Sequence, residues 1–201
     1  FGVFQKGKTR PVDDGSANGA NATSERFEKL ITSSIDMIVD MIRKWREKNP
    51  NVELGAWALD EYKAYRQIPI HPEQRRYSVI AVAKPGPVNK PTETEFFVMN
   101  SMCFGFTNAV YNYNRRPRAC QEILIKLFKV VSDFYYDDRW GIEPRSTIAS
   151  SLITTMEVFN MLGIRIQEDK IQGLDKERAT ELANKIEREE SAVKNQDFVI
   201  E

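Results

Sequence analysis

The chain has 201 residues, 41% apolar and 29% charged, with 29 Lys plus Arg set against 29 Asp plus Glu. This length buries a sizeable core in one large or two small domains, and the balance is ordinary for a soluble protein. Zero net charge argues against a protein that coats DNA through a global positive field, while leaving room for a local basic groove offset by acids elsewhere.

Residues 1–23 are polar and glycine-rich and predict short strands and turns. Across residues 24–48, Phe27, Ile31, Ile35, Ile38, Ile42 and Trp45 fall at helical spacing. They predict one helix with a single buried stripe, ended by Asn49-Pro50. Residues 53–60 and 66–83 read as strands divided by the 62–65 segment, with a turn at His71-Pro72-Glu73 and an apolar strand resuming at 77–82. A loop at 85–91 precedes a strand at 94–99. A second helix is expected over 107–130, burying Val110, Tyr113, Ile123, Leu124, Leu127 and Phe128. A third, over 147–162, carries Ile148, Leu152, Ile153, Met156 and Phe159 and ends at Gly163. Residues 164–172 predict a short strand and turn, and 175–190 a charged surface helix. Helices interspersed with antiparallel hairpins make an α+β domain, an antiparallel sheet packed on helices.

Two cysteines, Cys103 and Cys120, form no disulfide scaffold; they suit buried apolar positions in a reducing intracellular setting, cytoplasmic or nuclear. No run approaches the about 18 apolar residues of a membrane span and no signal peptide is visible, so no membrane partner is expected. Opening on Phe1, the chain reads as a piece of something longer.

The tetrad Tyr135-Tyr136-Asp137-Asp138 is the strongest chemical signal. It lies between an apolar stretch at 128–134 and Arg139-Trp140-Gly141-Ile142, as the tip of a strand-turn-strand hairpin. An Asp pair alone also suits a plain surface turn. Upstream, Leu59-Asp60 places a third carboxylate where an apolar strand runs out, and three such acids suit a divalent cation.

In order along residues 6–172, the pieces resemble the fingers and palm of a reverse transcriptase of the retroelement kind. Lys8-Thr9-Arg10-Pro11-Val12-Asp13 is similar to the fingers segment that holds the incoming triphosphate. Leu59-Asp60 through Ile68-Pro69-Ile70 resembles the first palm motif, and Phe104-Gly105-Phe106-Thr107-Asn108-Ala109 the motif opening the template-side helix. Tyr135-Tyr136-Asp137-Asp138 resembles the tyrosine-any-aspartate-aspartate signature, and Leu162-Gly163-Ile164 with Lys170 the glycine-then-lysine motif that closes the palm.

The resemblance implies a right-hand polymerase palm with partial fingers. It divides the chain into fingers at 1–52, palm at 53–172 with a fingers insertion about 73–100, and a charged helix at 173–201. It implies RNA-directed DNA synthesis with two Mg²⁺ ions, Mn²⁺ able to substitute, on Asp60, Asp137 and Asp138. Asp60 and Asp137 would bridge both ions. Lys8 and Arg10 would neutralise the triphosphate, and Gly105 would let backbone approach the nucleotide. Lys170 would orient or protonate pyrophosphate. Tyr65 would lie under the sugar and exclude a 2′-hydroxyl. Arg115 and Arg116, with Arg118 beyond them, would face template phosphates. The implied partners are an RNA or DNA template-primer and deoxynucleoside triphosphates.

Lys63 stands where many relatives carry a second aspartate. The primer-gripping hairpin is not recognisable, although Asp197-Phe198-Val199-Ile200 could begin it. Thumb and ribonuclease H segments are not seen either, so chemistry is expected here without processive synthesis. Two rivals stay open: an RNA-dependent RNA polymerase fragment, disfavoured by Tyr65, and a non-catalytic palm-derived nucleic-acid-binding module. His71, the only histidine, is assigned no chemistry.

Overall fold

A computed structural model describes residues 2–5, 8–11, 13–17, 19–25, 29–84, 86 and 93–173, with backbone alone over 2–11. The expected helix at 175–190, most of the 85–91 loop, Phe27 and residues 197–200 lie outside the described residues. In chain order the elements are β1 (Gly2–Gln5), β2 (Lys8–Pro11), α1 (Ile35–Lys48), β3 (Leu54–Asp60), β4 (Val79–Ala83), β5 (Thr94–Val98), α2 (Thr107–Ile123), β6 (Ser132–Tyr135), β7 (Asp138–Pro144) and α3 (Ile148–Met161). The protein is mixed α+β, with small antiparallel sheets and helices. No helix among the described residues is long and apolar enough to cross a membrane. Two compact units form: Phe1–Ile31 with Tyr62–Ala119, and Thr32–Glu61 with Cys120–Glu201.

The second unit is built on the sheet β3-β7-β6, with β7 central and antiparallel to both neighbours. Strand alternation sends Trp57, Leu59, Phe134 and Arg139 to one face. There α3 supplies Ile148, Leu152, Met156 and Phe159 to a core shared with Trp57, Leu59, Cys120 and Leu124. Each such side chain contributes about 1.5–3 kcal/mol on burial. Polar atoms in this core are matched: Trp57 Nε1 donates to Ser151 Oγ at 3.0 Å, and Ser151 Oγ to Glu143 Oε1 at 2.7 Å. Gly163, at φ 68, closes α3 as expected. Residues 164–172 bridge to β3 and to the residue just after it, Gln172 to Ala58 and Ile166 to Glu61, with a 3₁₀ turn at Glu168–Lys170 between them.

The expected helix at 24–48 begins only at Ile35. Ser34 is extended at the N-cap and Ser33 Oγ donates to Asp133 Oδ2 at 2.5 Å, so the Ser33 hydroxyl anchors the chain to β6 where the helix would otherwise continue. The predicted buried stripe is also corrected, because Ile31, Ile35 and Ile42 are exposed. The helix rests on β7 through half-buried Ile38, Met41 and Trp45, and Trp45 Nε1 donates to Ile142 O at 3.0 Å. The second helix shows a related shift. After Ile123 the chain takes a π-helical turn at Leu124–Phe128 and stops at Lys129, φ 60. That wider turn rotates later residues off the buried side, leaving Leu127 and Phe128 exposed while Leu124 and Val130 are buried.

In the first unit β1 pairs with β2 and β4 with β5, each pair antiparallel. The first half of the strand expected over 66–83 gives way to 3₁₀ turns at Ala64–Gln67 and Pro72–Tyr77, the second at the turn expected around His71-Pro72-Glu73. Lys63 turns the backbone at φ 49, and Arg66 N then bonds Lys63 O at 2.7 Å, a local bond that competes with a ladder. Before the turn at 72–77 only 68–70 stays extended, against 100–102: Ile70 N bonds Asn100 O at 2.9 Å and Met102 N bonds Ile68 O at 2.9 Å; after it the apolar strand expected at 77–82 is present as β4. The β4–β5 pair exposes Val82, Phe96, Phe97 and Val98, so its apolar sequence does not mark a core strand.

Candidate active site

The β6–β7 ladder ends on the pair Tyr135 and Asp138, so Tyr136 and Asp137 form a two-residue turn. Such turns favour positive φ at the first central residue because it matches the strand twist, and glycine usually supplies it. Here Tyr136 takes φ 56, a conformation costing a side-chain-bearing residue about 1–2 kcal/mol. Its ring meets that of Tyr135 edge-on at 4.7 Å.

Across the sheet, Asp60 is the last residue of β3 and stands directly opposite Asp138. Opposed residues share a face, so these two carboxylates leave the sheet on the same side. Glu61 N donates to Asp137 O at 3.2 Å, which ties the turn to the end of β3. Asp60 is buried, Asp137 half-buried and Asp138 exposed. Gln167 N donates to Asp60 O at 2.8 Å, bringing the turn that carries Lys170 alongside, and Lys170 Nζ forms an ion pair with Asp60 Oδ2.

The electrostatics follow from that crowding. Burial, then the charges of Asp60 and Asp138, push the Asp137 carboxyl above its ordinary value, against a bond from its own backbone and the Lys170 charge. Partial burial and the Asp60 charge push Asp138 up, with Lys170 opposing. Asp138 is open to water, which screens these charges at its carboxyl. Three carboxylates thus share one ammonium, an excess of hard oxygen donors that fits Mg²⁺ in kind. They are not a finished cage: among the described residues no three His, Cys, Asp or Glu are grouped to hold a metal ion. Lys170 stands at Asp60 as a cation in its own right.

The remaining sequence-predicted residues belong to the first unit. Tyr65 is only 8% exposed; its ring stacks on Tyr113 at 4.5 Å and meets Phe104 edge-on at 5.2 Å. Gly105 takes φ 103, and a Cβ there would lie 1.9 Å from Asp13 O, so the close approach it permits is to Asp13 backbone. Arg115 is exposed, while Arg116 is half-buried over the Tyr113 ring at 5.4 Å. Lys8 and Arg10 lie in β2, where Arg10 pairs with Val3; their side chains are outside the described residues.

Asn21, Asp13 and Arg66, whose individual roles no sequence pattern marks, brace this unit. Asn21 Oδ1 accepts from Thr107 N at 2.8 Å, capping α2 from 86 residues away, and its Nδ2 donates to Gly105 O at 3.2 Å. Arg66 pairs with Asp13 at 2.9 Å. No local spacing announces contacts of such range. No protein-family model matches the chain, and no curated protein matches it.

Proposed function

We propose that the β6–β7 tip and the end of β3 form the catalytic centre of an RNA-directed DNA polymerase of retroelement type, in a palm-like second unit. The observation that carries the reading is Asp60 opposite Asp138 with Asp137 on the adjoining turn, its carboxyl pushed above the ordinary value by burial and by two neighbouring negative charges. Phosphoryl transfer asks for positioning and charge neutralisation far more than for covalent help. Two Mg²⁺ ions, bound by Asp60, Asp137 and Asp138, would supply that neutralisation at the primer hydroxyl and the leaving pyrophosphate. The sheet fixes Asp60 and Asp138 in register, and the Tyr136 turn fixes Asp137 beside them. Lys170 holds the Asp60 carboxylate and is the proton donor or anchor for pyrophosphate. In the same reading Lys8 and Arg10 bind triphosphate, Tyr65 selects deoxyribose, and Arg115 and Arg116 hold template phosphates.

A second reading, the non-catalytic palm-derived nucleic-acid-binding module, is favoured by the Asp60–Lys170 ion pair, which already satisfies the buried acid without metal. Primer extension with Mg²⁺, run with deoxynucleotides and with ribonucleotides on an RNA template, separates these readings and the RNA polymerase rival. Extension by deoxynucleotides, reduced at least about a hundredfold by Asp137→Asn, supports the proposal. A ribonucleotide preference transfers the assignment to an RNA polymerase. Template binding without extension assigns the module.

A further inference from the structure

Part of the stripe that the sequence marks for burial on α1, Ile35 and Ile42, remains on the surface, with Val39 between them. Ile35, Val39 and Ile42 are 74%, 40% and 39% exposed, and they lie within about 60° of one another around the helix. They sit about a quarter turn from Ile38, Met41 and Trp45, which face β7, so the sheet leaves them uncovered. Asp36 and Arg43 flank the stripe on the side away from the sheet, both exposed. Asp40 and Lys44 pair with each other at 2.6 Å farther round the helix.

These positions have a symmetry that names the occupant. Placing a two-fold axis beside Val39 and running a second α1 antiparallel across the first brings Val39 against Val39 and Ile35 to within one residue's rise, about 1.5 Å, of Ile42. The same operation brings Asp36 of each helix within about 1.5 Å of axial register with Arg43 of the other, twice, an offset the long Arg side chain spans. An apolar stripe with a self-complementary charged flank fits an isologous helix pair. We infer that α1 is a dimerisation surface, taken by α1 of a second copy of this chain. Two faces of about 21 Å length bury less than a standard interface, so association falls at the weak end, on the order of ten micromolar. The inference is independent of the polymerase reading.

Sedimentation velocity of the full chain, from about 1 to about 200 micromolar, tests it. A monomer–dimer equilibrium is expected over that range. Asp36→Arg alone and Arg43→Asp alone each replace two attractions by two repulsions and should weaken association at least about tenfold. Combining both exchanges should restore it to within about threefold of the original. Val39→Lys, which sets two like charges on the axis, should abolish it. Circular dichroism should find all four variants folded, because the altered side chains are exposed. A chain that stays monomeric throughout overturns the inference, as does a dimer indifferent to the single exchanges or not restored by the double one.

Discussion

The two faces of the β3-β7-β6 sheet are built to opposite rules by neighbouring residues. Leu59 points into the core with Trp57 and Phe159, whereas Asp60, one residue on, joins Asp138 on the face where negative charge accumulates. On the core side even the buried Arg139 is accommodated, donating to Ser132 Oγ at 3.0 Å and stacked on Phe134 and Phe159 at 5.4 and 5.5 Å. On the other side Asp137 and Asp138 are raised by burial and by like charge, and Tyr136 sits in a backbone conformation suited to glycine. The contrast teaches that one sheet stores stability on one face and spends part of it at the tip of the other, as functional sites commonly do.

The largest effect should come from the core face. Trp57→Ala empties a fully buried site and should cost about 3–5 kcal/mol in denaturant unfolding. Next is the first unit, where Gly105→Ala drives a Cβ into Asp13 O at a φ of 103; a loss of about 2 kcal/mol or more is expected by the same measurement. At the tip the sign reverses. Tyr136→Gly should stabilise by about 1 kcal/mol, seen as a higher Tm, and a loss instead would mean the turn is not strained.

The smallest effect is one of pH. Asp137 and Asp138 hold protons more tightly folded than unfolded, so the stability this gives is complete below the ordinary value of 3.8. It is lost as pH rises through the raised folded values. Asp137→Asn should remove the larger part of that loss and raise Tm at pH 7 by about 2 °C, with little change at pH 3. An equal shift at both pH values would show that charge crowding is not the cause.

What was legible in the sequence was periodic or punctuated. β3, the hairpin around Tyr136-Asp137 and the α3 stripe of Ile148, Leu152, Met156 and Phe159 all show at a period of two or three to four residues. The acids at the strand end and turn could be picked out because each sits at such a break. The rest depended on distant partners. The start of α1 is set by Ser33 bonding Asp133, 100 residues away, and no window around residue 30 contains that information. The stripe on α1 was visible, but which face meets a sheet depends on the sheet. Leu127 and Phe128 keep the helical pattern, and the single π turn after Ile123 defeats it. The Asn21 clamp on Gly105 and Thr107 is likewise invisible locally.

The central claim is that Asp60, Asp137 and Asp138 act together as a cation site on the charged face of this sheet. Its most direct test is Mn²⁺ binding to the purified chain, followed by electron paramagnetic resonance of the free ion, with Asp60→Asn and Asp137→Asn alongside. The account predicts two bound ions, fewer in each variant, with both variants folded. Absence of binding, or binding that survives both substitutions unchanged, would contradict it.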